Sequence, residues 1–277
     1  MLDSLLDGVL DTLKLLPYLF ITFLILELIE HKLSKKSQKA ISKYNKIGPA
    51  VGGVIGAFPQ CGFSAMAANL YTNKVITMGT LIAIFLSTSD EMLPVMLSES
   101  VSITCILKII GFKVITGIII GFLVDLIFRK KDANNTIKDM CDEEHCHCKD
   151  GILVSSLIHT LKTALFILIA NLVINTLIFF IGEDKLSNLL HGKNIIMYFI
   201  ASLIGLIPNC ASSIVLTQVY VSGIVPLGVA LSGLLTGSGI GLLLLYKNNK
   251  NLKENLTITF IIYFVGVLLG FIADLII

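Results

Sequence analysis

Charge is what this sequence has least of. Only 14% of its 277 residues are Asp, Glu, Lys or Arg, against roughly 25% in soluble domains. The hydrophobic share is 55% and the mean hydropathy is +0.88, which excludes an ordinary soluble fold. The net charge is +2, and nothing points to a nucleic-acid partner. No ten-residue alternation of apolar and polar positions is present, so a β-barrel is excluded. No Walker-type nucleotide motif is present, so the chain is no self-contained ATPase. The N-terminus reads MLDSLLDGVLD, acidic where a cleavable signal is basic, and the first apolar block is expected to stay as a span. Six cysteines do not form a secreted disulfide framework. Cys61, Cys105 and Cys210 lie in apolar segments, whereas Cys141, Cys146 and Cys148 lie in the only long polar stretch.

What is present is a series of apolar blocks of about twenty residues, the length a helix needs to cross ~30 Å of hydrocarbon. The expected fold class is all-α: a polytopic integral membrane protein. The chain is also written twice. Shifted by 149 positions, Gly56, Pro59, Cys61, Ser64, Tyr71, Gly79, Leu86 and Ser89 fall on Gly205, Pro208, Cys210, Ser213, Tyr220, Gly228, Leu235 and Ser238. Gln60 falls on Asn209, Asn69 on Gln218, and Asp125 on Asp274 within GIIIGFLVDLI and GVLLGFIADLI. Oily helices matched by chance give Leu on Ile, not Pro, Cys, Tyr, Gly and Asp in register. The expected organisation is a first membrane repeat over 1–128, a Cys/His-rich cytoplasmic linker over 129–157 and a second repeat over 158–277.

Lysine-rich loops mark the cytoplasm. Residues 31–46 carry six lysines, and RKK follows at 129–131. In the second half the bias moves to 247–253, away from the counterpart of 31–46. The swap predicts an inverted repeat in which each half crosses an odd number of times. Segments 9–30, 75–97 and 103–128 have the length of spans, so 48–72 must enter and return. It divides at Pro59–Gly62 into halves of about 16 Å as helix. Segment 194–222 divides likewise at Pro208-Asn209-Cys210. Two broken or re-entrant helical hairpins are therefore expected.

Non-helical backbone at membrane depth is tolerated only inside protein or along a cavity, and transporters hold substrate at such breaks. The candidate substrate-binding residues are accordingly Gln60, Cys61, Ser64 and Asn69 with their counterparts Asn209, Cys210, Ser213 and Gln218. A second break, LSTSDEMLP at 86–94 against LTGSGIGLL at 235–243, adds Ser89, Asp90, Glu91 and Ser238. An intramembrane carboxylate marks an ion or proton pathway by default. The alternatives are packing cysteines beside a proline kink, and acids solvated at the outer interface. Asp125 and Asp274, near helix ends, are expected at the interface. Lys108 and Lys113 are expected to reach the outer boundary or to face a cavity. In the linker, Cys141, His145, Cys146, His147 and Cys148 are candidate metal ligands, since thiolate and imidazole suit soft ions. The alternative there is a solvated acidic linker.

FPQCGFS, IPNCASS, STSDEMLPVM and the HCHC linker together resemble the ten-span heavy-metal exporters, a family variously labelled arsenic efflux protein or manganese transporter, over nearly the whole chain. The resemblance implies export of a metal or metalloid across the plasma membrane by a multi-pass protein. The thiols favour arsenic species, while Asp90, Glu91, Gln60 and Asn209 offer oxygen ligands suited to Mn(II). The expectation is a transporter, not an enzyme, working by alternating access around the Pro-x-Cys breaks. No resident cofactor is expected, beyond a soft metal held transiently at the linker. The partners are the metal or metalloid substrate and the lipid bilayer, and a homo-oligomer stays open. The alternatives are a metal-ion channel, distinguished by absent saturation, and an intramembrane cysteine enzyme, which would need a histidine near a tip.

Overall fold

The computed structural model describes residues 47–58, 61–89, 92–128 and 195–276, with isolated helical positions between 13 and 24 and between 153 and 169. All regular structure in these segments is helical: α1 (Gly48–Gly56), α2 (Cys61–Thr72), α3 (Met78–Ser87), α4 (Met92–Ser98), α5 (Ile103–Phe128), α6 (Ile196–Gly205), α7 (Cys210–Val221), α8 (Leu227–Thr236), α9 (Ile240–Asn248) and α10 (Leu252–Ile276). Three described segments are long and apolar enough to cross a membrane, namely Ile103–Phe128, Leu227–Asn248 and Leu252–Leu275. The second of these is broken at residues 237–239. The protein is a polytopic helical membrane protein. Leu107, Ile119, Leu126, Leu256, Phe260 and Leu268 stand exposed on α5 and α10, as a lipid-facing surface requires.

The short helices pack inside. On α3 every residue from Met78 to Ser87 is buried, and so is every residue of α8 from Gly228 to Thr236. Small residues allow this close approach. A Cβ on Gly79 would strike the carbonyl of Gly121 on α5, and one on Gly228 would strike that of Gly270 on α10. In membranes, where lipid is as apolar as leucine, such backbone contacts hold helices together.

The same contacts fix directions. Gly48 of α1 lies against Thr80 and Gly56 against Ser87, so α1 runs parallel to α3. Ser64 and Asn69 of α2 lie against Gly241 and Asn248 of α9, so those two run parallel. In α6, Tyr198 reaches Asp274 beside the start of α8, while Gly205 meets Thr236 at its end. Thus α6 runs parallel to α8. The packing of α1 on α3 and α5 thus recurs, 149 residues on, as α6 on α8 and α10. Helix α2 packs chiefly across, onto α9, while α7 packs both on α8 of its own half and across on α4.

Two carboxylates anchor this scaffold. Asp125 accepts hydrogen bonds from the Gly79 amide at 2.9 Å and the Thr77 hydroxyl at 2.7 Å. Asp274 accepts them from the Gly228 amide at 2.6 Å and the Tyr198 hydroxyl at 2.7 Å. Each negative charge sits at a helix N-terminus with unpaired N–H groups and a positive dipole end. Asp125 and Asp274, expected at the interface, both stand in the last turn of a long helix; Asp125 is buried and Asp274 half-buried, and both fasten a short inner helix to a long outer one.

Candidate functional site at the helix breaks

Helix α1 ends at Gly56 and α2 begins at Cys61. Helix α6 ends at Gly205 and α7 begins at Cys210, with Asn209 extended before it (φ −149°, ψ 150°). Each cysteine of the paired motif therefore opens a new helix. The breaks fall where Pro59 and Pro208 stand in the sequence, because proline lacks an N–H and clashes with the preceding turn. Ser212 satisfies the loosened backbone by donating to the Asn209 carbonyl at 2.8 Å.

The second pair of breaks lies at similar depth. Helix α3 spans ten residues, about 15 Å or half the hydrocarbon core, and stops at Ser87. Thr88 turns away (φ −54°, ψ 127°). Ser87 and Thr88 donate back to Ala83 and Ile84 carbonyls at 2.8 and 2.7 Å. Helix α8 also spans ten residues and ends at Thr236, followed by Gly237 in an extended conformation. Gly239 takes φ +52°, a left-handed conformation that a side chain would disfavour.

These breaks are polar inside an apolar body. Ser64, Ser87, Thr88, Ser89, Asn209, Ser212, Ser213, Thr236 and Ser238 are all buried. The first turn of α7 abuts the second break: Ser213 Oγ lies 3.5 Å from where a Cβ on Gly237 would stand. The first turn of α2 abuts the start of α9, where a Cβ on Gly241 would lie 2.7 Å from the Ser64 carbonyl.

Lys113 completes the centre. It lies on α5, 1% exposed, at the eleventh position of a 26-residue helix, about 15 Å from the start of that helix. Its ammonium donates to the Thr88 carbonyl and, at 2.8 Å, to the Leu234 carbonyl. Thr88 ends α3, and Leu234 lies in the last turn of α8. Carbonyls at such positions lack the N–H four residues on and sit at the negative end of the helix dipole. One cation thus joins the C-terminal ends of two broken helices, 146 positions apart in sequence. Of the two expectations for Lys113, the outer boundary is overturned.

Other candidates lie elsewhere. Asn69 is buried but eight residues beyond Cys61, about 12 Å along α2. It accepts from Asn248 Nδ2 at 2.6 Å. Nearby Glu254 accepts from Asn249 at 3.1 Å and Tyr71 at 3.5 Å and lies 3.8 Å from the Lys74 ammonium. Asn69 thus belongs to a polar clasp at one end of the helices. Gln218 is exposed on α7. The residues Gln60, Asp90 and Glu91, and the linker ligands Cys141, His145, Cys146, His147 and Cys148, lie outside the described residues, as do the side chains of Cys61 and Cys210. Among the described residues no group of three or more His, Cys, Asp or Glu gathers into a metal-holding cluster.

A polytopic helical protein with paired helix breaks buried inside it has the build of a membrane transporter. The family described as "Putative, 10TM heavy-metal exporter" (ArsP_2) matches residues 2–184, about two thirds of the sequence, and the chain belongs to that family. The match takes in the first half, the linker and the start of the second half, a shorter extent than the motifs alone suggested. No curated protein and no solved structure matches the chain.

Proposed function

We propose that this protein exports a heavy metal or metalloid by alternating access around its four helix breaks. The observation that carries the reading is the convergence of the α3 and α8 ends on Lys113, which joins polar, non-helical backbone from both halves at mid-depth. Buried serines, threonines and Asn209 line that region, and Cys61 and Cys210 open the adjoining helices. Gln60, Asp90 and Glu91 belong to the same loops by sequence. Soft thiols suit arsenic species and oxygen ligands suit Mn(II). The linker set from Cys141 to Cys148 serves as a cytoplasmic collecting point for soft ions.

In this reading the halves are inverted repeats. The support is directional. Helix α3 starts beside Asp125, near the end of α5. That end shares an apolar groove with the start of α10, lined by Val124, Phe128, Leu256 and Phe260. Helix α8 starts beside Asp274, at the far end of α10. The two inner helices then enter from opposite sides and meet at their C-termini. By the same contacts α1 descends beside α3, and α2 returns to the Glu254 clasp. Lys74, Lys247, Lys250 and Lys253 belong to that clasp end, and RKK follows α5 there, which suits the cytoplasmic side of a plasma membrane.

The test is flux in everted vesicles with a panel of Mn(II), Zn(II), arsenite and methylarsenite. Saturable uptake of at least one, lost in the Cys61→Ser/Cys210→Ser double variant, is expected. Absence of flux for all four, or flux without saturation, contradicts the exporter reading; the latter favours a channel.

A further inference from the structure

We infer that Lys113 is the proton-carrying residue of this protein, a built-in cation standing where a transporter would otherwise hold a coupling ion. The inference rests on the transporter reading above and goes beyond it by naming the coupled ion and its carrier. Ends of broken helices in transporters present carbonyls to Na⁺ or H⁺. Here the carbonyls of Thr88 and Leu234 are occupied by an ammonium supplied by the chain. An ionisable residue within a membrane-spanning helix marks an ion or proton pathway by default. Lys113 also breaks the repeat, since the position 149 residues on is Ile262, buried and apolar in the core. Asp90 and Glu91 break it in the same way, facing Gly239 and Ile240 in register. Lys113 and the acid pair thus lie in the first half alone, and the Thr88 carbonyl that Lys113 reaches stands two residues before Asp90 in the sequence.

The proton step follows from electrostatics. A metal cation entering the break region and the Lys113 ammonium repel each other at low dielectric. Binding of one therefore weakens binding of the other. As the hydrated cation enters, one N–H bond of the ammonium breaks, the proton passes to a water molecule carried in with the ion, and the electron pair stays on Nζ. The neutral amine retains N–H groups but loses the charge assistance that roughly doubles a hydrogen bond. The link between α3 and α8 loosens, the halves can shift, and release of the metal on the other side lets the amine take a proton there. The result is exchange of metal for proton.

Helices α1, α3, α4 and α8 carry no titratable side chain. On α5 itself, Asp125 is held by Gly79 and Thr77, Cys105 lies 3.7 Å from the Tyr220 hydroxyl of α7, and Lys108 lies toward the outer end. Helix α7 also opens with Cys210. Helices α2, α9 and α10 bring Cys61 at a break, Tyr71, Tyr246, Lys247, Lys253, Glu254, Tyr263 and Asp274. Asp90 and Glu91 follow Thr88 by two and three residues in the sequence and lie outside the described residues.

Full-length protein in proteoliposomes tests this, with Mn(II) and Zn(II) as probes and a pH dye inside. Wild type is expected to move protons against either cation. Lys113→Arg keeps charge and donors but does not release its proton at any working pH. Its gradient-driven flux should fall at least about tenfold and lose its pH dependence. Lys113→Met should lose that flux as well. Wild-type flux without proton counterflow, or Lys113→Arg flux that follows the pH gradient as wild type does, overturns the inference. If wild type moves neither cation, amide hydrogen exchange decides without substrate. After correction for intrinsic chemistry, exchange over 86–89 and 234–239 should rise together with pH in wild type and stay flat in Lys113→Arg. Equal behaviour of the two proteins overturns the inference.

Discussion

Asp125 and Asp274 do the same work 149 positions apart, each holding the amide of the second residue of an inner helix and one hydroxyl. Hydrogen bonds to a charged acceptor are worth about 1.5–3 kcal/mol each. Asp125→Asn and Asp274→Asn should each lower thermal stability by an amount of that order, and the double variant by close to their sum, since distant sites add. A thermal scan of the purified protein in lipid nanodiscs checks this; unchanged melting would mean that the contacts contribute little. The acids were legible as a matched pair in the sequence, but not as caps, because Gly79 and Gly228 lie 46 residues away and no local spacing reveals such a partner. Asp90 is the complementary case. In the proposed reading, with a cationic substrate or a coupled proton, Asp90 supplies negative charge that thiols and amides lack, so Asp90→Asn should reduce transport more than about tenfold, over ~1.4 kcal/mol, with normal folding. Asp90→Glu should be milder. Wild-type flux in Asp90→Asn at every pH would return that acid to the interface.

At the scale of elements, the breaks were legible because proline and glycine are strong local signals. Helix ends fall beside Pro59, Pro208, Thr88 and Gly237 as the sequence indicates. The crossing of α2 to α9 and α7 to α4 was not legible, since which short helix packs on which is a tertiary property. The distance of Asn69 from Cys61 was legible, since eight helical residues span about 12 Å, but its pairing with Asn248 on α9 was not. Lys113 stood out as a charge in a span, yet its partners lie on α3 and α8, beyond any local pattern. Glycine contacts offer a check on the packing. Gly79→Ala and Gly228→Ala drive a Cβ into the Gly121 and Gly270 carbonyls, which helix α3 or α8 can relieve only by moving. Each should cost about 1–3 kcal/mol. Gly111→Ala on α5 meets nothing within 4 Å and should be neutral or stabilising by up to about 1 kcal/mol. Equal melting temperatures for all three would contradict the close packing of α3 on α5 and of α8 on α10.

For the whole molecule, the account assigns the membrane scaffold to two repeats and metal collection to the linker between them. Deleting 141–148 should then leave a folded protein with basal transport and a weaker response to scarce metal, whereas loss of folded protein would make the linker structural. The central claim is that one substrate site is built from both halves. Its most direct measurement is alkylation of Cys61 and Cys210 in membranes, followed residue by residue by mass spectrometry, with and without saturating transported metal. The account predicts that both thiols are labelled in the empty protein and that substrate slows both in parallel, with Cys105 unaffected. Labelling of Cys61 and Cys210 that substrate leaves unchanged, or protection of one thiol alone, would contradict a shared central site.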